Sequence, residues 1–100
     1  LANGPGARSI CDALQAPTPG ELTFEINRRL LAGGLVVTDD DVRAAIACAA
    51  RELKLVVEPG GAVALAAVLT GKLATQGRTV AVVLSGGNID EAMLAGIVNA

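Results

Sequence analysis

One hundred residues make at most one domain, and 52% hydrophobic against 18% charged residues marks a globular chain rather than a disordered one. Phe24 is the only aromatic residue and His is absent, which excludes stacking on single-stranded nucleic acid and any histidine metal site or base. Eight basic against ten acidic residues, a net charge of −2, argue against a phosphate-backbone binder.

In chain order, residues 1–20 (LANGPGARSICDALQAPTPG) are rich in Gly, Pro and Ala without a sustained period. They read as a connecting segment with at most a short helical turn around Ser9 to Leu14. Residues 21–100 read as an α/β core. In its first part Leu22, Ile26, Leu30 and Leu31 share one side of a predicted helix that ends at Gly33-Gly34. Leu35 to Val37 is a short β-branched run and is expected to be a strand. Thr38-Asp39-Asp40-Asp41 is a helix start, with a hydroxyl to cap an orphan N–H and three carboxylates at the positive end of the dipole. Consecutive helical side chains diverge around the axis, so the three aspartates are read as a cap and not as a metal site. The stripe Val42, Ile46, Ala49 and Leu53 is the expected buried face.

Leu55 to Val57 forms a link, and Glu58-Pro59 opens the next helix, Pro being free of cost where its N–H would be unpaired. From Gly60 to Leu69 that helix is apolar around its whole circumference, which predicts burial on every side. Thr79 to Leu84 (TVAVVL) has the length and continuous apolarity of a central parallel strand. It runs into Ser85-Gly86-Gly87-Asn88 and a last helix with Ile89, Met93 and Ile97 at four-residue spacing. Nineteen alanines and twelve glycines make a core of small side chains.

Cys11 and Cys48 form no CxxC spacing, and Cys48 in AAIACAA reads as a small core residue. Together with a start that lacks the basic and apolar regions of a secretory leader, this points to a reducing, cytoplasmic compartment. No apolar stretch approaches the ~20 residues of a membrane helix.

The pattern is α/β, yet one strong strand, one weak strand and a wholly apolar helix do not close a domain. The expectation is therefore part of a doubly wound parallel-sheet domain whose other strands lie on the remainder of a parent chain. Ligands of such sheets bind beyond the carboxyl ends of the strands. A buried strand followed by Ser-Gly-Gly-Asn and a helix is the strongest functional sign. The glycines admit a ligand close to the backbone and Ser85 can offer a hydroxyl. As a bare pattern the turn is equally a structural one. Glu58, before an apolar helix, is either a cap or an acid held near a ligand.

The run LKLVVEPGGAVALAAVLTGK, followed by TVAVVLSGGNID, resembles threonine/serine dehydratases, fold-type II pyridoxal-phosphate enzymes that also include serine racemase. SICDAL, PGELTFEI and VVTDDDV extend the resemblance over nearly the whole chain. It implies the C-terminal portion of such an enzyme, acting on a small amino-acid substrate by β-elimination to a 2-oxo acid and ammonia. By position it implies that Ser85 donates to the pyridine nitrogen, Gly86 and Gly87 pass close to the ring, and Glu58 lies on the ring-nitrogen side. Lys54 and Asn88 match positions that touch a nucleotide effector in serine racemase, although surface charge is the plainer reading of Lys54. The Schiff-base lysine, the phosphate loop and the metal segment of racemase-like members would lie upstream of Leu1. No regulatory module is expected after Ala100, and no metal ligand is expected here. The resemblance further implies a homodimer, and this chain alone is expected to be inactive. Two alternatives stand beside it: a free-standing, non-catalytic α/β module binding a small anion or a partner, and within the family a racemase or another lyase.

Overall fold

The computed structural model describes residue 2 and residues 4–100. Its elements are a 3-10 turn at Asp12–Leu14 and four helices: α1 (Glu21–Leu30), α2 (Asp39–Cys48), α3 (Pro59–Leu69) and α4 (Glu91–Val98). Helix α2 is central, packed by α3 and by α4, and the 3-10 turn rests on α3. The interior is built mainly from alanines: Ala45, Ala49, Ala62 and Ala66 are fully buried, with Val42 and Ile46 the largest sealed side chains. Small residues let the helix axes approach, but each removes little apolar area from water.

The start of α2 forms as its sequence dictates. Thr38 Oγ1 accepts from the Asp41 N–H at 3.1 Å and Asp41 Oδ2 accepts from the Thr38 N–H at 2.8 Å, a reciprocal capping box. Asp40 pairs with Arg43 at 2.9 Å, while Asp39 accepts from the Ser9 hydroxyl at 2.6 Å and the Ile10 N–H at 3.2 Å. The three carboxylates thus diverge to three different partners. The Asp39 contacts pin residues 9 and 10 to α2, and Cys11 behind them is only 5% exposed. Residues 9–11 are therefore anchored more firmly than the composition of their segment suggests. Both cysteines are free thiols.

Several expectations need correction. Among the described residues there is no β-strand, so the doubly wound sheet is not shown by this chain alone. Leu35 to Val37 and Thr79 to Leu84 run as non-helical chain without a ladder partner, because a strand exists only when another strand accepts its hydrogen bonds. The second run keeps a period of two: Val80, Val82 and Leu84 are half-buried, whereas Thr79, Ala81 and Val83 are exposed. Helix α3 is not buried on every side. Pro59, Gly61, Ala62, Ala66 and Ala67 face inward, and Ala64 and Leu69 face solvent. Leu53 leaves the α2 stripe because residues 49–53 widen into a π turn, which shifts the helical phase before Lys54 ends it in the left-handed region at φ 59°. Helix α1 buries none of its residues; Leu22 and Leu30 are 75% and 77% exposed.

The whole is a slab of 40 × 39 × 19 Å with a radius of gyration of 14.5 Å, wider than the ~13 Å of a compact hundred-residue domain. No helix among the described residues is long and apolar enough to cross a membrane.

The Ser9 hydroxyl, foremost, holds the Asp39 carboxyl below its ordinary 3.8, and the Thr38 N–H does the same for Asp41. A carboxyl depressed on folding contributes stability that is complete above the ordinary value and is lost as pH falls through the lowered one. Asp39→Asn is therefore expected to flatten the acid limb of stability below about pH 4. Thr38→Ala should cost about 1 kcal/mol at neutral pH. Denaturant melts of the full-length protein across pH measure both.

Candidate functional site

The two segments singled out by sequence, residues 56–61 and 84–88, meet at one end of the slab. Glu58 is the residue before α3; its backbone is extended (φ −72°, ψ 159°) and Pro59 takes the first helical position. From there the chain contacts the Ser85–Asn88 turn almost entirely through main-chain atoms. The Glu58 N–H donates to the Gly86 carbonyl at 3.2 Å. Glu58 Oε2 accepts from the Asn88 N–H at 2.9 Å across a separation of 30 residues. Asp90, just beyond, caps α4 by accepting from the Met93 N–H at 2.9 Å. The turn is therefore fastened between the starts of two helices.

Glycine is a steric requirement at Gly61, and two further glycines are closely approached. A Cβ on Gly61 would lie 1.7 Å from the Ser85 carbonyl oxygen. A Cβ on Gly87 would come within 3.0 Å of the Val56 carbonyl oxygen. At Gly86 the backbone is left-handed (φ 73°), and a Cβ would sit 2.7–2.8 Å from the Glu58 carboxylate. Gly61 was not among the residues expected at the site. Its signal was the second glycine of Glu-Pro-Gly-Gly, since a glycine inside a helix needs a packing reason to offset its cost.

Ser85, Gly86, Gly87 and Asn88 are exposed, and the Ser85 hydroxyl has no hydrogen-bond partner among the described residues. Glu58 is half-buried, and rather than capping α3 with its side chain it reaches across to the turn. Lys54 is elsewhere engaged: its Nζ donates to the Arg51 carbonyl at 2.6 Å, closing the end of α2. The site is an open surface. A groove of about 420 Å³ between α2 and α4 is lined by Arg43, Ala47, Arg51, Met93, Gly96 and Ile97, with Ala44, Ala92 and Ala100, and contains none of the candidate residues.

Chemically, this end of the chain offers a neutral hydroxyl donor beside a bare main-chain surface, with no nucleophile and no cluster of three metal-ligating side chains among the described residues.

Comparison with known proteins follows the same residues. A family profile described as "Pyridoxal-phosphate dependent enzyme" matches residues 2–86. The L-threonine ammonia-lyase of Thermotoga maritima is 38% identical over 94 residues, which is 94% of this chain and 23% of that protein. The L-threonine dehydratase catabolic TdcB of Escherichia coli K12 is 38% identical over 84 residues, 82% of this chain and 26% of that protein. The crystal structure of a T.th. threonine deaminase superposes with a TM-score of 0.80 at 37% identity, covering 90% of this chain and 30% of that one. The chain thus spans about a quarter of the length of the curated relatives it matches.

Gly61→Ala is expected to destabilise the full-length protein by roughly 3 kcal/mol, because the atom it meets is backbone and cannot turn aside. A denaturation midpoint close to the parent's would contradict the close approach.

Proposed function

The chain belongs to the pyridoxal-phosphate dependent enzyme family, and from that membership we propose that it is part of a threonine/serine dehydratase and forms the wall of the cofactor site that faces the pyridine nitrogen. The observation that carries this reading is the seating of Glu58-Pro59-Gly60-Gly61 against Ser85-Gly86-Gly87-Asn88, which leaves an unpartnered hydroxyl beside a surface without side chains. That surface fits a flat aromatic ring. The Cβ directions of Gly86 and Gly87 are taken up by the Glu58 carboxylate and the Val56 carbonyl, so the exposed side of the turn is main chain against which a ring can lie, and Ser85 supplies a donor where a ring nitrogen needs one.

Pyridoxal phosphate, when bound, supplies an electron sink for breaking bonds around the α-carbon of an amino acid. The residues of this chain orient it. The Ser85 hydroxyl donates its proton in a hydrogen bond to the ring nitrogen and, being neutral, does not hold a full positive charge there as a carboxylate partner would. Gly86 and Gly87 would let the ring lie close to the main chain. A sink of moderated strength suits elimination at the β-carbon, the reaction expected for L-threonine or L-serine. The names of the relatives, threonine ammonia-lyase and threonine dehydratase, support that substrate class.

In this reading the runs at Leu35–Val37 and Thr79–Leu84 are strands of a fold-type II doubly wound sheet, paired with strands supplied by the rest of the parent chain. The one-sided burial of Val80, Val82 and Leu84 and the 76% exposure of Val83 support it, as do the uncovered faces of α1 and α3. The same faces speak against a free-standing module. The parent enzyme is read as a cytoplasmic homodimer. Within the family the alternative is a serine racemase-like enzyme, for which Lys54 and Asn88 would touch a nucleotide; activation of the full-length protein by added nucleotide would favour it.

Ser85→Ala in the full-length enzyme is expected to weaken cofactor affinity about tenfold, the loss of one hydrogen bond of ~1.4 kcal/mol. Equilibrium titration with pyridoxal phosphate measures it, and wild-type affinity would remove Ser85 from the site. The hundred-residue chain alone should take up no cofactor covalently after borohydride treatment, as read by intact mass, and should not release ammonia from L-threonine.

A further inference from the structure

Two consecutive glycines are the least constrained piece of backbone a chain can have. A hydroxyl one residue before them can be aimed at a ligand only if something outside the turn holds it. Glu58 touches the turn in three ways. Its amide N–H donates to the Gly86 carbonyl at 3.2 Å, and its Oε2 accepts from the Asn88 N–H at 2.9 Å. Its carboxylate also fills the space over the Gly86 Cα, where a Cβ would lie 2.7 Å from Cδ and 2.8 Å from each oxygen. The two hydrogen bonds bracket Gly87 and begin at the residue next to Ser85. The main-chain bond is available to any residue at position 58, whereas the bond to Asn88 and the filled space over Gly86 belong to the side chain.

We propose that Glu58 is a positioning residue: it clasps the Gly86–Asn88 turn and through it aims the Ser85 hydroxyl, instead of binding the cofactor itself. The proposal rests on the cofactor-site reading of Ser85. It differs from the placement of Glu58 as a cofactor contact, because the carboxylate works on the main chain of this turn. A side chain acting only through Ser85 has nothing left to contribute once the Ser85 hydroxyl is gone. A side chain touching the ring contributes independently. The clasp also predicts a steric coupling, since part of the penalty for a methyl group at position 86 comes from the carboxylate itself.

Both consequences are measurable in the full-length protein. For pyridoxal phosphate binding, E58A and S85A are each expected to weaken affinity about tenfold, with the double variant no weaker than S85A alone. E58Q keeps an oxygen that can accept from Asn88 and should stay within about threefold of the parent. Independent losses, multiplying to about a hundredfold in the double variant, would overturn the proposal, as would an E58Q as weak as E58A. For the cofactor-free protein, G86A should lower the thermal midpoint, and E58A should cost less in the G86A background than in the parent, because the added methyl group already displaces the carboxylate from the turn. Equal, additive midpoint shifts for E58A in the two backgrounds overturn the clasp whatever the cofactor does. If S85A binds pyridoxal phosphate like the parent, the assignment of Ser85 fails, while the melting pair still decides whether Glu58 clasps the turn.

Discussion

The carbonyl oxygen of Ser85 occupies the space in which a side chain at residue 61 would begin, and the rest of the candidate site depends on that contact. Two stretches of backbone lie against each other with no side chains between them. Such an approach forgoes the apolar burial that usually joins two segments, and each glycine brings a conformational cost of up to about 1 kcal/mol relative to alanine. The compensation is local and polar. The Glu58–Gly86 main-chain bond, the Glu58–Asn88 bond and the Asp90 cap of α4 are all within a few residues of the contact. A turn poor in side chains is thereby tied to the starts of two helices.

What holds the contact in place from behind is the packing of α3 on α2, a seam of alanines. Ala45 and Ala49 on one side and Ala62 and Ala66 on the other are fully buried, so the two helices approach closely and the start of α3 is set by α2. Thr38 and Asp41 define where α2 begins, and the π turn before Lys54 sets where it ends. The chain from Lys54 to Glu58 is then short enough that the position of Glu58 follows from the end of one helix and the start of the next. An alanine seam removes little area from water, which accounts for a slab with large apolar side chains on its outer faces.

How much of this could be read in advance divides by range. Helix starts are local, and Thr38, Glu58-Pro59 and Asp90 mark theirs in the sequence, because capping involves residues three apart. The buried stripe of α2 was legible as far as Ala49 and then failed at Leu53, since nothing in Ala-Ala-Arg-Glu-Leu announces a widened turn. Strands are not local: the continuous apolar run of Thr79 to Leu84 is legible, but the ladder that defines a strand needs a partner that these residues do not include. The burial of Cys11 was missed because it follows from Ser9 reaching Asp39, thirty positions away. At the site, the pairing of EPGG with SGGN was legible as a family resemblance. The direction of the Glu58 side chain and the need for glycine at 61 are products of three-dimensional approach, and no spacing encodes them.

The division of chemical labour can be argued from the same residues. A group that forms and breaks bonds must be free to move protons or electrons, and the ionisable side chains nearest the turn are already committed. Lys54 closes the end of α2, Asp90 caps α4, and the Oε2 of Glu58 is held by an amide. Among the described residues the Ser85 hydroxyl is uncommitted, a donor that neither ionises nor attacks without a base beside it. In the proposed reading such a wall would stabilise charge on something laid against it and take no covalent part. Its accuracy then matters more than its reactivity, since a hydrogen bond weakens steeply with misdirection, and a hydroxyl set beside two glycines is as well directed as the turn is held. A carboxylate that accepts from one main-chain amide of the turn and lies over its Gly86 Cα is an effective way to hold it.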